Sequence, residues 1–235
     1  MYIQILTECN MSCSHCIMSC ARGKKGEYMS RETYARSIEL SQHYGDMIVI
    51  GGGEPTMHKE FFDFLDFAMW KDIENTLVVT NGGFTNKAFK LLDYLDRYDS
   101  EKLTINLSQD IYHDKIDERV VEAYERRNLI RTCEPEQVIY MGSAVENQIY
   151  NPHKAVGCNC ETLFVKPNGD LKICGCEDAA TLGNVNTMTD SEYDNLMDFY
   201  FAYRDEHGGE PCHAHIEQEH YDEMKQTIQP VRMAA

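Results

Sequence analysis

Six short apolar runs and four amphipathic stretches share the first 145 residues, and their order limits the fold more than any other feature. The runs are Met1–Thr7, Met47–Ile50, Leu77–Val79, Leu103–Leu107, Leu129–Arg131 and Val138–Met141. Each is short and rich in β-branched or large apolar residues, so each reads as a strand. Helices are expected between them. One starts with Ser30 as N-cap and ends at Gly45. The next carries Phe61, Phe64, Leu65 and Ala68 on one face. The others carry Ala88, Leu91, Leu92 and Leu95, then Val120, Val121 and Tyr124. Strands alternating with helices predict a parallel sheet with right-handed crossovers. The fifth crossover is too short for a full helix.

Beyond Gly142 the pattern changes. Leu163-Phe164-Val165 and Leu171-Lys172-Ile173 flank Pro167-Asn168-Gly169-Asp170, the signature of a β-hairpin. A last helix carries Tyr193, Leu196, Met197 and Tyr200. The expected division is residues 1–145 as a core and 146–235 as a smaller region.

The chemistry gathers at the C-terminal ends of the expected strands, where α/β barrels place their sites. Cys9, Cys13 and Cys16 follow the first strand as C-x3-C-x2-C. Three thiolates this close can hold a four-iron cluster with one iron left open. A structural zinc with Cys20 as fourth ligand is the alternative. Gly51-Gly52-Gly53-Glu54-Pro55 follows the second strand, Thr80-Asn81-Gly82 the third, and Ser108 with Asp110 the fourth. For Asn81-Gly82 a plain turn is an equal reading.

C-x3-C-x2-C followed by G-G-E-P resembles the radical S-adenosylmethionine (SAM) superfamily. The resemblance implies an open, partial (β/α)6 barrel similar to a TIM barrel. It implies a [4Fe-4S] cluster on Cys9, Cys13 and Cys16 that chelates SAM, and reductive cleavage of SAM to a 5′-deoxyadenosyl radical. Gly52, Gly53, Glu54 and Pro55 would then border the methionine end of SAM, with Glu54 orienting its ammonium. His15, where relatives carry an aromatic residue, would lie near the adenine. Ser108 and Asp110 would meet the ribose or methionyl carboxylate, and Asn81 would shape the pocket. The segment Gly142-Ser143-Ala144 resembles a late motif that often has arginine where Ser143 stands. If that arginine pairs the SAM carboxylate in relatives, another group must do so here.

Cys158, Gly169 and Cys174 form C-x10-G-x4-C, which resembles the opening of the auxiliary-cluster region called SPASM, or twitch when shortened. The resemblance implies a second [4Fe-4S] cluster on Cys158, Cys174, Cys176 and Cys212, with Cys160 as an alternative ligand. A zinc knuckle of Cys158, Cys160, Cys174 and Cys176 is the competing reading. His213, His215 and His220 read as part of a solvated tail, and Cys20 and Cys133 as ordinary thiols.

Composition bounds the setting. Ten cysteines without a signal-like start point to metal ligation in a reducing cytoplasm. A net charge of −17 disfavours nucleic acid, and no apolar run is long enough for a membrane span. Arg22, Lys24 and Lys25 read as a solvated loop, or as a contact for an anionic partner. The expected function is hydrogen abstraction from a small polar metabolite, driven by a reductant such as flavodoxin or ferredoxin. Radical modification of a peptide and a non-catalytic metal protein are the alternatives.

Overall fold

A computed structural model describes residues 1–44, 47–71, 73–98, 101–139, 141–149, 163–175 and 181–207. Gly45, Cys158, Cys160, Cys176, Cys212 and the histidines after Cys212 lie outside those residues. Among the described residues the order is β1 (Tyr2–Gln4), α1 (Arg31–Tyr44), β2 (Met47–Gly51), α2 (Phe61–Trp70), β3 (Asn75–Thr80), α3 (Thr85–Leu95), β4 (Leu103–Ser108) and α4 (Glu118–Glu125). Then come β5 (Ile130–Arg131), α5 (Ser143–Glu146), β6 (Phe164–Val165), β7 (Asp170–Lys172), β8 (Thr181–Asn184) and α6 (Asp190–His207).

The strands form one open sheet in the order β5-β4-β3-β2-β1-β6-β7-β8. Pairing is parallel from β5 through β6 and antiparallel from β6 to β8. This is the expected α/β architecture with a partial, unclosed barrel. Alternation along the central strands leaves one face fully buried and the other half-buried. Thr76, Val78 and Thr80 of β3 are buried, as are Leu103, Ile105 and Leu107 of β4. Helix α2 turns Phe61, Phe64, Leu65 and Ala68 inward, as its spacing requires. Tyr34 of α1 stacks on Phe64 with ring centroids 4.2 Å apart. Ser30 caps α1 by accepting the Thr33 N–H at 3.0 Å.

Among the described residues, one expected strand is absent. Val138, Ile139 and Met141 form no strand, although Val138 and Met141 are buried. Pro135 starts a 3₁₀ turn over Pro135–Gln137, and Val138 caps it. Gly142 then bends the chain at φ +54°. Between those two turns there is no room for a ladder. The sixth parallel strand is instead Phe164–Val165, the first arm of the expected hairpin, paired with β1. The hairpin thus extends the main sheet beyond β1.

Candidate active site

The parallel register brings the chemistry to one edge of the sheet. Gln4 lies opposite Gly51, Thr80 opposite Leu107, and Ser108 opposite Arg131. Past β1 the chain runs along the loop after β2. Gly53 donates to the Leu6 carbonyl, and the Glu54 N–H to that of Glu8, each at 2.9 Å. This approach demands glycine: a Cβ on Gly53 would stand 2.0 Å from the Glu8 oxygen, and one on Gly52 2.5 Å from that of Leu6.

The cysteine loop is held from three sides. Cys16 N–H donates to the Cys13 carbonyl and Ser19 N–H to that of Cys16, both at 3.2 Å. From α5, Ser143 N–H donates to the Cys16 carbonyl at 2.9 Å, and Asn147 Nδ2 to that of Ser14 at 3.0 Å. From the loop after β3, Asn81 Nδ2 donates to Asn10 Oδ1 at 2.9 Å and approaches Cys9 Sγ at 3.6 Å.

A cavity of about 310 Å³ opens beside this loop. Cys9, Cys13 and Cys16 line it, with His15, Gly52, Gly53, Asn81, Ser108 and Asp110. Eight candidate residues named from the sequence, and Asn81 as a ninth, therefore meet at one place. Glu54 and Pro55 are not part of its lining. Glu54 is fully buried, and its carboxylate accepts from Thr56 N–H (3.1 Å), Thr56 Oγ1 (2.5 Å), Thr80 Oγ1 (2.7 Å) and Asn81 N–H (2.7 Å). Burial pushes its pKa up, and these donors offset the shift. The carboxylate thus braces the loops that shape the cavity.

Asp110 accepts from Tyr112 N–H at 2.9 Å and from His113 Nδ1 at 2.7 Å. Its other oxygen lies 3.7 Å from His15 Nε2. The His15 ring rests against Tyr112 at 4.7 Å, and its Nδ1 is buried without a partner. Burial lowers the His15 pKa more than Asp110 raises it, so the ring is neutral at pH 7. His15, Asp110 and His113 bring donor atoms within 4.8 Å of one another. Such a set could ligate a cation, but the Asp110–His113 hydrogen bond already accounts for it.

The matching family model is that of the radical SAM superfamily, over residues 3–139. The chain belongs to that superfamily. Segments of this radical SAM chain are 35% identical over 60 residues to the mycofactocin maturase MftC of Mycobacterium ulcerans and of Mycobacterium tuberculosis. The matched segment is 26% of this chain and about one-sixth (16% and 15%) of those proteins. Among solved structures, that of BtrN in complex with AdoMet and 2-DOIA is similar with a TM-score of 0.62. It is 17% identical, with 88% of this chain and 87% of that one covered, so the likeness is one of fold.

The donor set fits the superfamily's cluster: the sulfurs of three cysteines line one cavity, and soft thiolates select iron–sulfur centres or zinc. Burial holds Cys9 up at about 11 and Cys13 up at about 12. Cys16 is held lower and Cys20 higher than an ordinary thiol, chiefly through the proximity of the two side chains. Metal loading must therefore release protons, chiefly from Cys9 and Cys13.

Several site residues escaped the sequence reading. Arg131 is the sole lysine or arginine among the described cavity residues, and it makes no ion pair with them. Its position at the end of a strand was the available signal. His113 is linked to Asp110 by the three-residue spacing of D-I-Y-H. Cys133 also lines the cavity. Cys174 is buried by the hairpin and stands apart from the cavity lining.

Proposed function

We propose that this chain cleaves SAM reductively and uses the resulting 5′-deoxyadenosyl radical to abstract hydrogen from a small polar metabolite. The observation that carries the reading is the convergence of Cys9, Cys13 and Cys16 on the cavity lined by Ser108, Asp110 and Arg131. When bound, the cluster supplies the electron that breaks the carbon–sulfur bond.

The protein's own residues position and exclude. Gly52 and Gly53 present open backbone to the methionine end. Arg131 takes its carboxylate, the role left vacant by serine at position 143. Ser108 meets the ribose, and the neutral His15 ring lies along the adenine. Asp110 fixes His15 and His113. His113, held through Nδ1, is the cavity's candidate proton acceptor, which an oxidation of a polar carbon requires.

Cys174 with Cys158, Cys176 and Cys212, or Cys160 in place of one, would hold an auxiliary cluster in the region 146–235, supported by their spacing and by the hairpin that carries Cys174. A small flavodoxin or ferredoxin in a reducing cytoplasm would supply electrons. No helix among the described residues is long and apolar enough to cross a membrane. The second reading is peptide modification, favoured by the local identity to a mycofactocin maturase.

The test is anaerobic reconstitution with iron and sulfide, then SAM and dithionite. About eight irons per chain, about four in a Cys9, Cys13, Cys16 triple-alanine variant, and 5′-deoxyadenosine only from wild type are expected from cluster stoichiometry. Zinc in place of iron and no deoxyadenosine would sink the reading. Deoxyadenosine yield raised by small-metabolite fractions, and unmoved by peptide fractions, separates the two substrate classes.

A further inference from the structure

We infer that Arg22, Lys24 and Lys25 form the landing surface for the electron donor, a small acidic flavin or iron–sulfur protein that passes one electron from its reduced cofactor to the cluster on Cys9, Cys13 and Cys16. This rests on the radical SAM reading and gives its reductant a place to dock.

Charge sets the strip apart. The chain has 39 acidic residues and a net charge of −17, yet the stretch 9–26, which holds the three cysteines, has no Asp or Glu and three lysines or arginines. Arg22, Lys24 and Lys25 are exposed. None is among the described cavity residues, so the strip faces a partner outside the cavity rather than a substrate within it. The flanking acids are Glu8, Glu27 and Asp114. Arg22 pairs with Asp114, and Glu8 accepts from the Tyr28 hydroxyl. The charges of Lys24 and Lys25 are left facing solvent.

The strip is fastened to the backbone of the cysteine loop. Arg22 N–H donates to the Met11 carbonyl at 2.9 Å, and its Nε to the Asn10 carbonyl at 2.7 Å. Both acceptors lie between Cys9 and Cys13. Lys24 Nζ donates to the Ser19 carbonyl at 3.0 Å, and Ser19 N–H donates to the Cys16 carbonyl at 3.2 Å. Cys13 and Cys16 are half-buried. Ile17, next to Cys16, is 39% exposed and offers an apolar contact. A donor seated on the strip is thereby brought against the loop that would hold the cluster.

Two acidic proteins repel each other, but salt screens that repulsion beyond about 8 Å at physiological ionic strength. Inside that range the local cations set the orientation and speed of encounter. Electron-transfer partners meet over small, transient contacts. Three cations and one apolar side chain match that scale.

The test measures binding of purified flavodoxin, an acidic flavin protein, to the full-length reconstituted protein by calorimetry at low and high salt. Wild type should bind, and bind more weakly as salt rises. The double reversal Lys24→Glu, Lys25→Glu should weaken binding about tenfold at low salt and flatten the salt dependence, with iron counts unchanged. Lys24→Arg with Lys25→Arg should bind like wild type. So should Lys102→Glu, a reversal at an exposed site before β4, at the opposite end of the strands. Deoxyadenosine formation should fall in the double reversal when reduced flavodoxin is the reductant, and hold with dithionite. If the double reversal loses iron, Lys25→Glu alone, which leaves the Lys24–Ser19 bond in place, must weaken binding in the same direction. Binding that the reversals leave unchanged, that Lys102→Glu weakens equally, or that wild type lacks overturns the inference. So does equal loss of deoxyadenosine with dithionite, which would assign the strip to the cluster or substrate. A wild-type chain that binds no iron would remove the function reading itself, and iron analysis reports that separately from binding.

Discussion

The carboxylate of Glu54 accepts the backbone N–H of Asn81 at 2.7 Å, which fastens the loop after β2 to the loop after β3. Asn81 in turn holds Asn10 of the cysteine loop. The buried acid therefore controls the cavity through backbone and amide, with no need to face it.

Glu54→Gln replaces an acceptor with a group that must point a donor at Thr56, Thr80 or Asn81. One buried polar group then goes unsatisfied, at a cost of about 1–3 kcal/mol. Because the folded protein raises the Glu54 pKa, it binds that proton more tightly than the unfolded chain does. This group's contribution to stability is greatest at low pH and is lost as pH rises through the unfolded value, about 4.3, toward the folded one. Denaturant titrations at several pH values should show a lower midpoint for the variant at neutral pH. They should also show that this part of the pH dependence is gone.

Arg131→Gln removes the cavity cation. A charge-assisted hydrogen bond contributes about 1.5–3 kcal/mol, so SAM affinity should fall roughly 10- to 100-fold. Equilibrium binding of SAM to the reconstituted protein measures this directly. Unchanged affinity would assign the carboxylate to another group.

His15 is neutral because burial lowers its pKa. A neutral aromatic ring should substitute for it, so His15→Phe is expected to retain most SAM cleavage while His15→Ala loses it. Since the folded state disfavours protonation of His15, its contribution to stability is present above the unfolded value of about 6.5 and declines on acidification below it. His15→Phe should flatten the stability profile there, as thermal melts across pH 5–8 would show.

Gly142 has φ +54°, and a Cβ there would lie 2.4 Å from the Cys16 carbonyl oxygen. Gly142→Ala meets both a backbone penalty and a clash with main-chain atoms, so it should destabilise by more than about 1 kcal/mol. The local consequence is loss of the Ser143–Cys16 hydrogen bond. Hydrogen exchange at the Ser143 amide should quicken, and reconstituted iron should become easier to strip with a chelator.

Much of the fold was legible because it follows from local periodicity. The burial of Phe61, Phe64, Leu65 and Ala68 is set by helical spacing alone. The alternation in β3 and β4 likewise needs only a two-residue period. The clustering of cysteines, glycines, Ser108 and Asp110 followed from the rule that parallel strands carry chemistry at their C-terminal ends. Val138–Met141 misled because apolar content reports burial and cannot by itself distinguish a strand from a buried loop between two turns. The inward turn of Glu54 was invisible because its donors, Thr80 and Asn81, lie 26 and 27 residues away in sequence. Arg131 enters the site through the register of β5 against β4, a pairing no single segment encodes.

The parallel pairing of β6 with β1, Tyr2 with Phe164 and Ile3 with Val165, bears on how such a chain can be shortened. Tyr2 also stacks on Phe164 at 4.9 Å. Cutting the chain before the hairpin would leave β1 as a bare sheet edge with unpaired backbone groups and an uncovered aromatic face, a template for aggregation. The strand that leads into the cysteine loop would become the stickiest part of the fragment. Residues 164–165 are the guard on that edge, whatever else the C-terminal region does.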